Sequence, residues 1–306
     1  MKILIKFLKK ILLFIGLIIL IYPISIIIYG ELIPSYFHKN LFYEKFAYGF
    51  SYTRFQEVKE TKNIDVLFLG SSRSYRHYDP RIFKEAGFNS FNLGSSSQTF
   101  LQTEILVDRY LDSLNPDYII LDIYPGMFSS NGVESSFDLI SNDYNNWGTL
   151  KMALELKNLM VLNTLIYAVY KEHFTNSLND KEVSVKGENE YIPGGYVRRE
   201  VTTNKEKGKL QQNWELNGIQ WESFTAIIEK LKKSSAKILI VHSPRNSGFN
   251  YISGDKLFKY LQNNNIPYYD YKELKFINDS IHFYDTSHMN QNGVELYNKF
   301  LLEKHF

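Results

Sequence analysis

Two adjacent serines, Ser71 and Ser72, follow an apolar run that is typical of a buried strand, in the stretch "DVLFLGSSRSYRHYDP". A bend at this point requires only Gly70, so the two hydroxyl groups are candidates for a chemical role. A Gly-Ser-Ser triplet alone is usually a turn. A serine nucleophile also needs a base, which another part of the chain must supply.

Two of the seven histidines follow an acid by three residues, in "NDSIHFYDTSHMNQNG". The pairs are Asp279 with His282 and Asp285 with His288. In a turn, this spacing lets the carboxylate meet imidazole Nδ1 while Nε2 faces a nucleophile. Asp285 and His288 directly precede a predicted C-terminal helix, so we favour them over the first pair. The other histidines, including His242 at the end of "KILIVHSP", are expected to have packing or surface roles.

The elements that must position these residues alternate between strands and helices. The runs "DVLFLG", "FNSFNLG", "DYIILDIYP", "KILIVHSP" and "IPYYDY" predict strands, and helical patterns separate most of them. The alternation predicts an α/β fold with a parallel, three-layer sheet. Ligands of such sheets bind at the carboxyl ends of the strands, where the serine pair, Gly94 and Tyr124 are predicted to lie.

This alternation breaks in a predicted insertion at about residues 130–215. The run "LKMALELKNLMVLNTLIYAVYKEHF" predicts one long helix, interpreted as a core helix. A helix that binds the membrane surface or a partner is the alternative. Residues 176–213 are polar and contain glycines, which predicts an exposed segment that overhangs the strand ends.

The N-terminus predicts a membrane anchor. Residues 1–10 are basic, and residues 11–30 carry no charge. About 20 helical residues span a bilayer core of about 30 Å. The lysines are expected to stay in the cytoplasm, with the rest of the chain outside it. A cleaved signal peptide is the alternative, but the apolar run is longer than is usual for one, and no A-x-A-like cleavage site follows it.

Two further segments complete the predicted organisation. Residues 31–63 form an aromatic juxtamembrane segment, which suits either the lipid headgroup level or packing against the domain. Residues 64–306 form the α/β domain with its insertion.

Composition excludes several classes of function. The formal charge is +2 and there is no basic stripe beyond the first ten residues, so no nucleic-acid partner is predicted. The chain has no cysteine, which excludes disulfides and thiolate metal sites. Because no convincing metal-ligand spacing and no phosphate-binding loop occur, we predict neither a metal nor a cofactor.

The order of the motifs resembles the SGNH (GDSL-like) hydrolase superfamily. The motifs are Gly70-Ser71-Ser72 at the end of the first strand, Gly94 at the end of the second, and Asp285-Thr286-Ser287-His288 before the last helix. The resemblance implies a flavodoxin-like sheet, the SGNH fold, and a covalent acyl-serine intermediate. It also implies Ser72 as nucleophile, with the backbone N–H groups of Ser72 and Gly94 as oxyanion donors.

The chain departs from that superfamily in its third block, where a G-x-N-D asparagine is absent after "YIILDIYPGMF". Tyr124, Gln98 or a backbone group would have to replace that oxyanion donor. Arg73 and Arg76 follow the serines and have two interpretations. They bind an anionic glycan, or they pair with Asp79, which we consider the simpler reading.

The anchor together with these motifs is similar to two groups within the superfamily: the teichoic-acid D-alanine transfer proteins and the alginate-type polysaccharide O-acetyltransferases. This similarity implies a membrane-anchored, extracytoplasmic serine O-acyltransferase with a Ser72–His288–Asp285 triad. Its partners would be a cell-envelope glycan as substrate and a membrane-bound O-acyltransferase. An esterase that removes acyl groups from envelope glycans or lipids, and a non-catalytic scaffold for envelope assembly, are the alternatives.

Overall fold

The computed structural model describes residues 2–47, 49–175, 180–199, 211–216, 218–246, 250–252 and 254–306. A short 3₁₀ helix covers Ser35–Phe37. The α-helices are α1 (Lys2–Leu32), α2 (Ser51–Glu60), α3 (Ser72–His77), α4 (Pro80–Glu85), α5 (Phe100–Leu114), α6 (Pro125–Ser129), α7 (Val133–Asn142), α8 (Trp147–Glu155), α9 (Leu159–Phe174), α10 (Gly218–Leu231), α11 (Asp255–Asn263), α12 (Asp279–His282) and α13 (Gln291–His305). The strands are β1 (Val66–Leu69), β2 (Ser90–Asn92), β3 (Tyr118–Asp122), β4 (Val185–Lys186), β5 (Asn189–Ile192), β6 (Tyr196–Arg199), β7 (Gln211–Asn213), β8 (Lys237–His242), β9 (Asn250–Ile252) and β10 (Tyr268–Asp270).

A five-stranded parallel sheet lies at the centre of the described chain, in the order β10-β8-β3-β1-β2. Counting only these strands along the chain, the order is 2-1-3-4-5, which is that of the flavodoxin-like fold. The predicted α/β fold with a parallel sheet is therefore confirmed. In this order β1 is flanked by β2 and β3, so the Gly-Ser-Ser turn lies at the carboxyl end of an inner strand, one strand in from the side of the sheet that β2 forms.

Two apolar layers cover the two faces of the sheet. Side chains alternate along β1, so that Val66 and Phe68 join one buried cluster while Leu67 and Leu69 join the other. The first cluster includes side chains of α4 and α13, and the second includes side chains of α2, α5 and α10. Every residue of β1 is buried, as expected for a strand covered on both faces.

Helix α1 is long and apolar enough to cross a membrane. It extends beyond the predicted 11–30 span at both ends. The same helix includes the four N-terminal lysines and continues through Glu31 and Leu32. The juxtamembrane segment divides into two parts. Tyr36 is 90% exposed, whereas Leu41 and Phe50 are buried against the domain.

The insertion differs from its prediction in two respects. The predicted long helix is two helices, because Lys157 adopts a positive φ of 49° and the side chain of Asn158 caps the start of α9. The polar segment is not simply exposed. Strands β4, β5 and β6 form a small antiparallel sheet, and Tyr191 and Tyr196 of that sheet are buried. The parts of the segment at residues 176–179 and 200–210 lie outside the described residues.

Candidate active site

The turn after β1 presents Ser72 at the first position of α3. Gly70 has a φ of 147°, a conformation that side chains with a Cβ rarely adopt, and Ser71 is the residue that precedes the helix. A Cβ on Gly70 would lie 2.7 Å from the backbone oxygen of Asp122 on β3. Glycine therefore allows the turn to pack closely on the neighbouring strand.

We expect Gly70→Ala to lower the free energy of unfolding much more than Gly87→Ala does. Both glycines have a positive φ, but a Cβ on Gly87 meets no atom within 4 Å. The strain alone costs about 1 kcal/mol, and the collision at Gly70 should raise the loss to on the order of 3 kcal/mol. Urea unfolding of the two full-length variants in detergent measures this difference. Equal losses would show that the close approach to Asp122 has no energetic consequence.

The loop between α12 and α13 holds the acid and the base in a closed turn. Phe283 and Met289 form an antiparallel bridge, and the N–H of Tyr284 donates to the carbonyl of His288 at 3.1 Å. Inside the turn, Asp285 Oδ1 accepts from the N–H groups of Ser287 at 2.7 Å and His288 at 2.8 Å. These bonds hold Oδ1 of the carboxylate, so that the other oxygen, Oδ2, faces the imidazole.

The structure brings Ser72, His288 and Asp285 together in one chain of hydrogen bonds. His288 Nδ1 lies 2.8 Å from Asp285 Oδ2, and His288 Nε2 lies 2.8 Å from Ser72 Oγ. A carboxylate only accepts, so Nδ1 carries the proton and Nε2 accepts from the Ser72 hydroxyl. This is the protonation pattern in which a histidine can remove the proton of a serine.

The alternative pair, Asp279 and His282, is arranged differently. His282 Nδ1 accepts from the backbone N–H of Asn278 at 2.8 Å, at the start of the one-turn helix α12. The atom that would contact an orienting carboxylate is therefore engaged by the backbone. His282 is the matched control for His288 in the predictions below.

The two expected oxyanion donors differ in availability. No described residue accepts from the N–H of Ser72, so this group can donate to a ligand. The N–H of Gly94 instead donates to Asn92 Oδ1 at 2.9 Å. The expectation that Gly94 offers a free donor is therefore not met in this structure.

Gly94 has a clear packing role in its place. A Cβ at this position would lie 2.7 Å from the carbonyl oxygen of Ser71. Asn92 holds the same two segments together, because its Nδ2 donates to the Ser74 carbonyl at 2.7 Å and its Oδ1 accepts from the Ser74 hydroxyl at 3.1 Å. Sequence reasoning missed Asn92, although a polar residue at the end of the buried run "FNSFNLG" was a usable signal.

Tyr124 and Gln98 occupy different surroundings. The Tyr124 hydroxyl donates to Ser71 Oγ at 3.4 Å, so it lies beside the serine pair. The Gln98 side chain is buried, and its Nε2 donates to Thr103 Oγ1 at 2.9 Å within the first turn of α5. Of the two, Tyr124 is better placed to serve as a further donor to a ligand on Ser72.

Neither arginine pairs with Asp79, so that interpretation was wrong. Asp79 caps the start of α4, and its ion pair is with Arg81 at 2.6 Å, two residues along the chain. Arg73 is buried, with its guanidinium 3.8 Å from Asp122 and 4.2 Å from the centre of the Tyr124 ring. Because the Arg73 side chain is buried and makes these contacts, it stabilises the Gly-Ser-Ser turn against β3. Its burial does not favour direct binding of a glycan.

Arg76 lies beside the base and contacts the insertion. Its guanidinium lies 5.5 Å from the centre of the Tyr284 ring, which stacks on His288, and it donates to Asn189 Oδ1 at 2.9 Å. The guanidinium of Arg199 in β6 lies 4.4 Å from the centre of the same Tyr284 ring. The small sheet of the insertion thus reaches the site through residues that the sequence did not single out.

A second histidine, His77, supports the base from inside the domain. His77 Nε2 accepts from the N–H of Met289 at 3.1 Å, so Nδ1 carries the proton and donates to Ser243 Oγ at 3.0 Å. Burial holds the pKa of His77 well below its usual value, which keeps the ring neutral. No acid spacing marks His77 in the sequence, so only the fold shows this contact.

The electrostatics of the site keep His288 ready to accept a proton. Burial lowers the pKa of His288 below its usual value of 6.5, and the positive charges of Arg76 and Arg73 lower it further against the opposing effect of Asp285. The pKa of Asp285 is also lowered, because its bonds to His288 and to the backbone outweigh burial. At neutral pH the pair is therefore a carboxylate and a neutral imidazole.

This assignment predicts the acid limb of activity. If Ser72 attacks an ester with His288 as its base, only the neutral ring can accept the serine proton, so kcat/KM is expected to rise with pH through a midpoint below 6.5. Arg76→Gln removes a charge that lowers the pKa of His288 and should move the midpoint to higher pH. Arg76→Lys keeps the charge and should leave the midpoint near that of the parent. If the midpoint stays the same in Arg76→Gln as well as in Arg76→Lys, a group other than His288 controls the rise of kcat/KM with pH.

Among the described residues, no group of three or more His, Asp or Glu side chains could hold a metal ion. The arrangement at Ser72 places a hydroxyl, an imidazole and a carboxylate in one chain of hydrogen bonds. Such a set can form and cleave an ester on the serine oxygen.

Comparisons with known proteins give structural neighbours only. No protein-family model and no curated protein matches the chain. The chain is similar in structure to a protein described as an acylhydrolase from Bacteroides fragilis NCTC 9343, at 15% identity and a TM-score of 0.39, over 85% of this chain and 99% of that one. It is also similar to a GDSL-like lipase from Bacteroides thetaiotaomicron VPI-5482, at 13% identity and a TM-score of 0.38, over 86% of this chain and 100% of that one.

A third similar structure is a family 3 carbohydrate esterase from Clostridium thermocellum, at 12% identity and a TM-score of 0.33, over 79% of this chain and 98% of that one. The TM-scores of these three structures are low. The function proposed below therefore rests on the geometry of the site.

Proposed function

We propose that this protein is a serine enzyme of the SGNH (GDSL-like) type that acts on acyl esters through an acyl-serine intermediate. The observation that carries the proposal is the continuous hydrogen-bond chain from Ser72 through His288 to Asp285, with 2.8 Å at both contacts. Ser72 and His288 are 216 positions apart in the sequence, so only the fold brings them into contact. A chance contact would not also place Nδ1 on a carboxylate that two backbone N–H groups orient.

In the proposed reaction, Ser72 Oγ attacks the ester carbonyl while its proton passes to His288 Nε2. Asp285 stabilises the imidazolium that forms. The Ser72 N–H is available to the oxyanion, and one such donor contributes on the order of 3 kcal/mol to the transition state. His288 then gives the proton to the leaving alcohol. In the second half-reaction a sugar hydroxyl or water attacks the acyl-serine carbonyl and its proton passes to His288. The bond between the acyl carbon and Ser72 Oγ then breaks, and His288 returns the proton to Oγ.

We further propose that the acceptor is a hydroxyl group of a cell-envelope polysaccharide, and that α1 anchors the domain on the outer side of the membrane. The lysines before the apolar run of α1 support this orientation. An anchored domain stays close to a membrane source of acyl groups, such as a membrane-bound O-acyltransferase. The His288 side chain is 18% exposed, so water competes for the intermediate unless a bound acceptor excludes it.

Incubating full-length protein in detergent with an acetyl-ester reporter, with and without an acetyl-accepting oligosaccharide, tests the proposal. Mass spectrometry should find acetylated sugar when the oligosaccharide is present, and Ser72→Ala should form none. Free acetate as the only product would favour an esterase. Absence of both products, together with an unchanged cellular phenotype of Ser72→Ala, would favour a scaffold without catalysis.

A further inference from the structure

The helical hairpin α8–α9 bears an unusual concentration of exposed apolar side chains. Outside α1, the large apolar residues exposed on this hairpin are Trp147, Leu154, Leu159, Val169 and Phe174. Trp147 is 75% exposed and Phe174 is 78% exposed. A soluble surface does not usually gather such residues on one element, so this face is expected to meet an apolar phase.

A groove of about 450 Å³ runs along the same face, and helix α1 forms one of its walls. Pro23 and Ile27 of α1 line it opposite Leu162 and Ile166 of α9, and Trp147 lies at the α8 side. Pro23 and Ile27 belong to the uncharged run of α1. Whatever surrounds that run therefore also reaches the groove.

Polar contacts hold α1 and α9 side by side. The Tyr22 hydroxyl donates to Asn163 Oδ1 at 2.5 Å, and the Tyr167 hydroxyl donates to the carbonyl of Gly30 at 3.2 Å. Beyond the apolar run, Lys171 forms an ion pair with Glu31 at 3.1 Å. The two helices thus run in the same direction, and α1 is docked on the domain along its last turns.

This docking fixes the depth of the hairpin relative to the span. Pro23 precedes Gly30, the end of the uncharged run, by about 10 Å at roughly 1.5 Å per residue. One leaflet of the hydrocarbon core is about 15 Å thick. The groove beside Pro23 therefore lies within one leaflet when α1 spans the bilayer, whereas Lys171 and Glu31 lie at its polar boundary.

The charged residues of the hairpin differ in how they fit this depth. Lys151 contacts Glu155 at 3.7 Å and Glu104 of α5 at 4.0 Å, so these charges lie on the side that faces α5. Lys157 is exposed in the turn between α8 and α9, which is the deepest part of the hairpin in this register. Embedding its charge costs about 3 kcal/mol, which burial of the exposed apolar side chains of this face must offset.

We propose that the α8–α9 face is embedded in the membrane leaflet next to the domain, with lipid acyl chains filling the groove against α1. The inference rests on the anchoring proposed above and adds to it. A domain docked in this way is held at a fixed height and orientation on the membrane. A flexible tether would allow neither.

Spin labelling tests the proposal without prior removal of native thiols, because the chain has no cysteine. Full-length Leu159→Cys, Ile15→Cys and Leu296→Cys proteins are labelled and reconstituted in phosphatidylcholine and phosphatidylglycerol vesicles. Ile15 reports on the span. Leu296 is the matched control, since it is an exposed leucine on α13, at the opposite face of the sheet. Collision of each label with oxygen and with a water-soluble nickel complex is measured.

We expect oxygen to reach the Leu159 label more readily than nickel does, as at Ile15, and the reverse at Leu296. Water-like values at Leu159 with lipid-like values at Ile15 would overturn the embedded hairpin and leave the anchor standing. Water-like values at both positions would overturn the hairpin and the anchor together. Activity of Ser72 is not part of this measurement, so the proposed chemistry is tested separately.

Discussion

Ser72→Ala abolishes labelling by a fluorophosphonate probe and lowers ester turnover by on the order of 10⁴-fold or more, if the proposed chemistry is right. The probe phosphonylates a serine oxygen with loss of fluoride, and only a serine whose proton can be removed reacts readily. Ser72 Oγ is such an oxygen, because it lies 2.8 Å from His288 Nε2. Intact mass spectrometry of the full-length protein measures the adduct.

Ser71→Ala is the matched control for this experiment. Ser71 is on the same peptide, but it is 1% exposed and its hydroxyl contacts the hydroxyl of Tyr124. The variant should keep both the adduct and most of the turnover. Loss of labelling in Ser71→Ala with retention in Ser72→Ala would show that Ser71, and not Ser72, is the nucleophile. Retention in both would remove the basis of the proposed function.

The strands were predictable because burial leaves a strong local pattern. Each apolar run after residue 64 that the sequence marks as a strand is a strand of the central sheet, including β1 and β3. The end of β1 was also readable, since glycine followed by small polar residues stops a buried run. Because parallel strands end at one edge, this was enough to predict which residues share that edge.

The insertion was less predictable, because its structure depends on contacts between distant segments. The break between α8 and α9 occurs at Lys157 and Asn158, where a capping side chain overrides a continuous apolar pattern. Strand β6 is short and polar in sequence, yet Tyr196 and Val197 are buried against the domain. Nothing within ten residues of these positions predicts that burial.

The support of the site was hidden for the same reason. His77 contacts the turn that carries His288, and Asn92 contacts Ser74 in the helix that begins with Ser72; neither belongs to a recognisable spacing. The Arg73–Asp122 contact joins two strand ends that are adjacent only in the folded sheet. Short motifs thus identify groups that react, whereas the groups that orient them become visible only in three dimensions.

His288→Ala should also abolish fluorophosphonate labelling, and it should lower turnover by about 10²–10⁴-fold or more through loss of the base. The alanine leaves the Ser72 hydroxyl with no acceptor for its proton at 2.8 Å. Initial rates of labelling and of ester turnover are measured on the full-length protein. Far-ultraviolet circular dichroism checks that the variant folds, because the His288 carbonyl also accepts from Tyr284 in the loop.

His282→Ala separates the two acid–histidine pairs of the sequence. Its ring accepts only from the backbone of Asn278 among the contacts described above, so labelling and turnover should stay near those of the parent. The reverse result, with activity lost in His282→Ala and kept in His288→Ala, would require a loop arrangement different from this one.

Asp285→Asn adds a third test. An amide donor that faces His288 Nδ1 favours the wrong tautomer of the imidazole, so turnover should fall while the fold stays intact. Because the side chain of Asp285 also accepts from two backbone N–H groups, which an amide oxygen can replace, a loss in this variant reports on the histidine and not on the turn.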